Sequence, residues 1–171
     1  MLRRNFMLSV MAVTLSAPNA QAETPDILKH VPEARKVGAG RYSHLGFDIF
    51  DATLYAPQSR YNAAGPFALK LEYLRNIKGK TITDNSVKEI QKQGVSADKL
   101  NRWRDQMAAI FPDVAKGASI TGIRDASGHA LFYSGDKLIG TIKDAEFSRA
   151  FFNIWLGPKA PQTFRDKLLG A

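Results

Sequence analysis

The sequence contains no cysteine among its 171 residues. Disulfide bonds, thiolate metal sites and cysteine nucleophiles are therefore excluded. Prolines are few, at 8, and no apolar run approaches the about 20 residues that a membrane-spanning helix needs. The apolar fraction of 44% and the aromatic fraction of 10% suffice for a core that closes without disulfides. This composition indicates one ordinary globular domain.

The first 22 residues have the pattern of a secretory signal peptide. Two arginines precede an apolar stretch over residues 6–15, and Ala-Gln-Ala at 20–22 is a small-residue cleavage pattern. The apolar stretch is too short to span a membrane, so we expect cleavage near residue 22 rather than anchoring. The sequence therefore predicts a signal peptide over residues 1–22, a single mature domain over 23–171, and a periplasmic location.

The charge balance is basic, with 24 Lys and Arg residues against 16 Asp and Glu residues. In an exported protein such an excess favours acidic ligands and peripheral contact with anionic membrane surfaces. The nearest candidate for a nucleic-acid surface is Trp103 between Arg102 and Arg104. On a helix, Trp103 would face the core while its neighbours point away, so we expect no nucleic-acid partner.

The hydrophobic pattern predicts strands, then helices, then strands, then helices. Residues 67–73 alternate as in a strand with one buried face, whereas residues 45–55 are apolar on both faces. Ser86 and Glu89 are spaced as a capping box for a first helix, and Asp144 is suited to cap a later one. Without a regular βαβ alternation, this order predicts an antiparallel α+β domain with helices on one sheet face. The remaining predicted elements are a helix over 96–111, three short strands over 119–123, 130–133 and 138–142, and a final helical turn after residue 161.

Motifs for metals and nucleotides are weak in this sequence. His30, His44 and His129 are not spaced as helical ligand pairs and no acidic cluster joins them, so we expect no metal. Gly38 and Gly40 form a lone Gly-x-Gly without a third glycine or a convincing preceding strand. We interpret this segment as a plain turn and expect no cofactor.

Several segments, in this order along the chain, are shared with one known family. They are 37–41 (VGAGR), 45–55 (LGFDIFDATLY), 111–113 (FPD), and 150–158 (AFFNIWLGP). With these motifs the sequence resembles the bacterial chalcone isomerase-like family, and the resemblance spans most of the mature chain. It implies an open-faced β-sandwich, in which a large antiparallel sheet carries a layer of helices on one face. This fold agrees with the α+β pattern.

The resemblance implies a cleft but not the isomerase chemistry. Plant chalcone isomerases use an arginine after the Gly-x-Gly turn together with a threonine, a tyrosine and an asparagine. Only the arginine, as Arg41, is matched, because the other three positions fall on Phe50, Ile82 and Glu89. The loss of two hydroxyls leaves no organised oxyanion donors. Plant fatty-acid-binding proteins of the same fold keep the arginine as a carboxylate anchor, and this sequence resembles that design more closely.

We therefore expect a non-catalytic binder of a fatty acid or similar amphipathic acid, with Arg41 as the anchor. The expected lining of the cleft is aromatic and consists of Tyr42, Phe50, Tyr55, Tyr73, Phe151 and Trp155.

Two other functions remain open on the sequence. The first is an isomerase or lyase in which Tyr42, Tyr55 or Tyr73 is the general acid. The second is a structural or accessory envelope protein whose cleft is filled by its own side chains. For Arg41 itself, the alternative is a surface ion pair with Asp48 or Asp51.

Overall fold

The computed structural model describes residues 27–171, so the predicted signal peptide and its cleavage site lie outside the described residues. A short 3₁₀ turn at Ile27–Lys29 precedes the first strand. The strands are β1 (Ala34–His44), β2 (Phe47–Pro57), β3 (Phe67–Tyr73), β4 (Ser119–Arg124), β5 (Ala130–Ser134) and β6 (Lys137–Ile142). The helices are α1 (Gly79–Gln91), α2 (Ala97–Ile110), α3 (Ala145–Leu156) and α4 (Gln162–Leu168). Between residues 27 and 171, no helix has the length and apolar character needed to cross a membrane.

The six strands form one antiparallel sheet in the order β1-β2-β3-β4-β5-β6. The helices pack on one face of this sheet and enclose the main core, so the predicted α+β fold is confirmed. Alternation along β3 directs Phe67, Leu69 and Tyr73 into that core, as expected for period two. In β2, the residues buried against the helices are Phe50, Ala52, Leu54 and Ala56.

The opposite face of the sheet carries a second, smaller apolar cluster. Ile27 and Val31 lie against Ala68, Ile123 and Leu131 from the central strands. The segment is held there by a hydrogen bond of 2.9 Å between the His30 ring and the Tyr133 hydroxyl. The sheet therefore buries side chains on both faces at its centre, although only one face carries the helices. The second face buries the polar side chains of Lys70 and Thr121 beside its apolar cluster.

The Gly-x-Gly segment is not a turn, so the sequence-based interpretation was wrong. Gly38 and Gly40 lie inside β1, where α4 crosses the strand. A Cβ at Gly38 would stand 2.2 Å from the carbonyl oxygen of Lys167 and 2.6 Å from that of Leu168. Glycine is required because the helix backbone approaches too closely for a side chain. Because this strand is rich in glycine and charged residues, it lacks the alternating β-branched and aromatic residues by which a strand is usually recognised.

Helix α1 begins seven residues before the predicted capping box. Its first residue, Gly79, donates its backbone N–H to the Asp113 carboxylate at 2.9 Å, and Lys78 Nζ contacts the same carboxylate at 2.8 Å. The Lys78 and Gly79 hydrogen bonds lower the pKa of Asp113. Ser86 instead donates its hydroxyl to the Ile82 carbonyl within the helix, at 2.8 Å. The start of α1 is therefore capped by a carboxylate that is distant in the sequence. A pattern of neighbouring residues cannot reveal such a cap.

Asp144 caps α3 as the sequence predicts, and it also binds a side chain of α2. Its Oδ1 accepts hydrogen bonds from the backbone N–H groups of Glu146 (2.9 Å) and Phe147 (3.1 Å). Its Oδ2 accepts one from Trp103 Nε1 at 3.0 Å. Burial opposes the charged form, but these hydrogen bonds and nearby Lys99 outweigh it and lower the pKa of Asp144. One carboxylate therefore joins the two helices.

We expect Asp144→Ala to lower the free energy of unfolding by about 1–2 kcal/mol, the usual cost of losing such a cap. Asp144→Asn is the matched control, because an amide oxygen still caps the helix. Since the native pKa of Asp144 lies below the unfolded value of about 3.9, its ionic contribution is complete above that pH and disappears as the pH falls through the native value. Urea unfolding at neutral and acid pH measures both effects. Equal stability of the Ala variant and the native protein at neutral pH would contradict the assignment.

Candidate ligand-binding cavity

A cavity of about 560 Å³ lies between the inner face of the sheet and helices α1 and α3. This volume is within the range of about 300–1,000 Å³ that is typical of small-molecule sites. The lining is largely apolar because residues of five strands meet the apolar stripes of the helices. Its apolar lining comprises Ile49, Leu69, Leu71, Ile77, Ile82, Phe111, Ile120, Phe132 and Ile154, together with the aromatic side chains described next.

Two groups of packed aromatic side chains line the cavity. Tyr42 stacks on Phe50 with ring centroids 5.1 Å apart, and Trp155 meets Tyr42 and Phe50 edge-on at 5.0 and 5.3 Å. One turn earlier on α3, the ring of Phe151 packs edge-on against that of Phe132, with centroids 5.0 Å apart. Such interlocked rings make a rigid apolar surface. The aromatic residues thus contribute to the core and to the cavity wall at once.

Tyr73 brings a polar group into this apolar wall. Its side chain is 4% exposed, lines the cavity and packs edge-on against Phe50. Burial raises the pKa of Tyr73 well above its usual value, so the phenol stays protonated at neutral pH. Among the described residues, no hydrogen bond to its hydroxyl is formed. Tyr73 therefore adds a protonated phenol, which is a hydrogen-bond donor, to the cavity lining.

The mouth of the cavity is polar and carries excess positive charge. Two of its charged residues are neutralised, since Lys78 pairs with Asp113 at 2.8 Å and Glu89 pairs with Lys92 at 2.7 Å. The other two charged residues at the mouth are Arg75 and Lys88, and neither forms an ion pair within residues 27–171. The mouth therefore suits an acidic group.

Of the residues predicted to form the site, five line the cavity and two do not. The five are Tyr42, Phe50, Tyr73, Phe151 and Trp155. The structure thus brings together the aromatic part of the predicted site, from two neighbouring strands, the end of a third strand and helix α3.

Arg41 lies on the opposite face of the sheet, which corrects its predicted position in the cleft. Its Nε donates to Asp51 Oδ1 at 2.7 Å, a second nitrogen donates to Asp51 Oδ2 at 2.9 Å, and a third donates to Asp48 at 3.2 Å. These contacts, above all the hydrogen bond to Asp51, raise the pKa of Arg41 and lower that of Asp51. The reason is strand alternation: Tyr42 is paired with Phe50 and points inward, so Arg41, paired with Asp51, points outward.

Tyr55 is also outside the cavity, in the smaller cluster on the opposite face. It alternates with Leu54, which is buried against the helices. Burial raises the pKa of Tyr55. Because residues 45–55 are apolar on both faces, the period-two pattern alone could not decide which face meets the helices.

The two cations at the mouth were not predicted from the sequence. Arg75 follows β3 by two residues, on the face that Tyr73 shares, and Lys88 stands one turn after Asp84 on α1. Of the two, only Arg75 could have been predicted. The odd-numbered residues of β3 face inward, and the same alternation continued past the end of the strand reaches residue 75. By contrast, the three positions where catalytic side chains of chalcone isomerases would fall, Phe50, Ile82 and Glu89, all line the cavity.

An open antiparallel sheet with helices on one face and an apolar pocket between the two layers defines an open-faced β-sandwich with an internal binding cavity. Residues 35–170 match the sequence model of the family described as chalcone isomerase-like. The chain belongs to this family, as its motifs predicted.

Two known proteins are similar to this chain. An uncharacterized protein of Haemophilus influenzae is 26% identical over 125 residues, which are 72% of this chain and 61% of that protein. The chain therefore spans 61% of the length of this curated relative. The crystal structure of a fatty-acid binding protein from Arabidopsis thaliana superimposes with a TM-score of 0.64, at 13% identity, over 81% of this chain and 88% of the plant chain. At that identity the likeness shows the shared fold.

Proposed function

We propose that this protein is an exported, non-catalytic binder of a fatty acid or a similar amphipathic acid. The observation that carries the proposal is an apolar cavity of about 560 Å³ whose mouth holds the uncompensated cations Arg75 and Lys88. The fold likeness to a plant fatty-acid binding protein supports the same class of ligand. Export to the periplasm rests on the signal-peptide pattern of residues 1–22.

The polarity of the cavity sets the orientation of the ligand. The alkyl chain lies in the depth of the cavity against Leu69, Ile120 and Phe132, where burial of apolar surface drives binding. The carboxylate stays at the mouth, where desolvation is small and the guanidinium of Arg75 offers two parallel donors. Arg41 does not take this role, because Asp51 and Asp48 already occupy its donors on the other face.

Three features of the cavity weigh against chalcone isomerisation. In the register that the family resemblance implies, Phe50 and Ile82 replace the catalytic hydroxyls, and Arg41 points away from the cavity. Of the polar side chains that line the cavity, Tyr73 is the buried one, and a single buried donor does not form the preorganised set that stabilises an oxyanion. These three features favour binding over isomerase or lyase chemistry.

The proposal predicts opposite outcomes for two arginines. Arg75→Ala should weaken the binding of dodecanoic acid by about tenfold or more, because a hydrogen bond to a charged group contributes about 1.5–3 kcal/mol. Arg41→Ala, the matched control, should leave the affinity unchanged. Titration calorimetry with the two variants, together with native mass spectrometry of the purified protein for co-purifying acids, measures this.

Two results would contradict the proposed function. One is the absence of saturable binding for octanoic, dodecanoic and hexadecanoic acids alike. The other is a loss of affinity in a folded Arg41→Ala protein that exceeds the loss in Arg75→Ala, which would place the carboxylate on the opposite face of the sheet.

A further inference from the structure

The turn between β1 and β2 exposes two large apolar side chains. Leu45 is 83% exposed and Phe47 is 58% exposed, the first at the turn and the second at the start of β2. Leu45 adopts φ +49° and is followed by Gly46 at φ +79°. Positions of this kind usually carry Asn, Asp or Gly, because a large side chain is strained in the left-handed region. Leu45 therefore lowers the stability of the fold in two ways, as a strained turn residue and as an apolar side chain exposed to water. This indicates that its function is something other than stabilising the fold. We call residues 44–47 the hairpin tip.

The hairpin tip lies beside the mouth of the cavity. His44, on one side of the turn, and Ile49, two residues past Phe47, both line the cavity. Arg75 lines the cavity as well, and its guanidinium stands 4.7 Å from the centre of the Phe47 ring. The exposed apolar side chains, a cation and the cavity mouth thus form one continuous surface.

The charge next to the hairpin tip suits an anionic surface. Asp48, the acidic residue next to Phe47, is engaged by Arg41 at 3.2 Å and by the Ser43 hydroxyl. Arg75 and Lys88 at the adjacent mouth have no such partners among the described residues. Formal net charge is +8 for the whole chain and +6 for residues 23–171, because residues 1–22 carry two arginines and no acidic residue. A bilayer containing anionic lipid combines the apolar interior and negative headgroups that this arrangement fits.

We propose that the hairpin tip docks on the surface of a membrane that contains anionic lipid, with Leu45 and Phe47 entering the headgroup region. The cavity mouth then faces the bilayer, and an amphipathic acid passes between lipid and cavity without crossing water. A protein partner fits less well, because two side chains on a projecting turn fall far short of the about 800 Å² that each partner buries in a stable interface. Passage of the acid rests on the proposed function, whereas the docking itself does not.

Vesicle co-sedimentation tests the docking. The full chain is expressed and purified, and the protein is mixed with phosphatidylcholine vesicles that either contain or lack phosphatidylglycerol. Every variant is made in the same full chain, so that residues 1–26 contribute equally to vesicle binding. We expect tighter binding to the anionic vesicles and about a tenfold loss on Leu45→Asn and again on Phe47→Ser, since each removes an inserted apolar side chain. Leu45→Asn also places a favoured residue before Gly46, so this variant keeps its fold.

Leu138→Ser is the matched control, because Leu138 is 48% exposed near the turn between β5 and β6, at the other edge of the sheet. Its vesicle binding should equal that of the native protein. Native-like vesicle binding by Leu45→Asn and Phe47→Ser, or an equal loss on Leu138→Ser, would overturn the proposal. A concentration-dependent dimer that Leu45→Asn abolishes would also overturn it, because the occupant would be a second copy of the chain.

A second measurement separates docking from ligand binding. Without vesicles, Leu45→Asn should bind dodecanoic acid with native affinity, whereas transfer of the acid from anionic vesicles should slow by about tenfold. If native protein binds these vesicles but no acid, the proposed function fails and the docking stands. If it binds the acid but Leu45→Asn transfers it from vesicles at the native rate, the docking fails and the proposed function stands.

Discussion

Ser86→Trp is expected to abolish saturable binding of dodecanoic acid while the protein stays folded. Ser86 lines the cavity from the middle of α1, and its hydroxyl bonds only within its own helix, to the Ile82 carbonyl. An indole at this position would occupy the space that the alkyl chain needs, and the cavity offers it room without a backbone shift. Titration calorimetry measures binding, and thermal unfolding measures the fold.

The matched control for this substitution is Lys80→Trp. Lys80 is on the same helix, its side chain is 84% exposed, and it is not part of the cavity lining. This variant should bind the acid like the native protein. If Ser86→Trp bound the acid with native affinity, the alkyl chain would have to lie elsewhere.

Gly38→Ala is expected to lower the free energy of unfolding by about 3 kcal/mol, at the upper end of the usual cost of overpacking. The new Cβ would meet two carbonyl oxygens of α4 at 2.2 and 2.6 Å, and a backbone cannot move aside as a side chain does. Gly40→Ala is the control, because its Cβ would meet only the side chains of Lys167 and Phe164, at 3.2 and 3.4 Å. Urea unfolding at neutral pH compares the two variants.

A loss within about 0.5 kcal/mol for Gly38→Ala would contradict this account, because changes of that size are typical of surface positions. It would mean that α4 is free to move away from β1. A large loss for Gly40→Ala alone would likewise show that the side chains, rather than the helix backbone, limit the approach.

Elements whose stability is local could be predicted from the sequence. The strand at residues 67–73 and the cap at Asp144 depend on neighbouring residues, and the structure confirms both elements. The prediction that one face of that strand meets water is wrong, because Ala68 and Lys70 are buried under the smaller cluster on the opposite face of the sheet. The start of α1 depends on Asp113, which is remote in the chain, so its position was missed. Strand β1 was not predicted because it contains glycines, which are rare in strands. They are required here by the close approach of a helix that follows more than a hundred residues later in the chain.

The same distinction applies to the candidate site. Five aromatic members could be predicted because aromatic residues cluster in the sequence and the family motifs select them. Arg41 was misplaced because one residue of register moves a side chain to the other face of a sheet. Arg75 and Lys88 were missed because two exposed cations on separate elements become one charged mouth only after the chain has folded.

The close approach of α4 to β1 has a consequence for when the protein can fold. This contact joins the first strand of the sheet to its last helix, so it closes nearly the largest loop that the described chain allows. Contacts of high sequence separation form slowly, and here the glycines of β1 cannot be covered until α4 has been synthesised. During synthesis, β1 and β2 can therefore pair as a hairpin well before β1 gains its contact with α4.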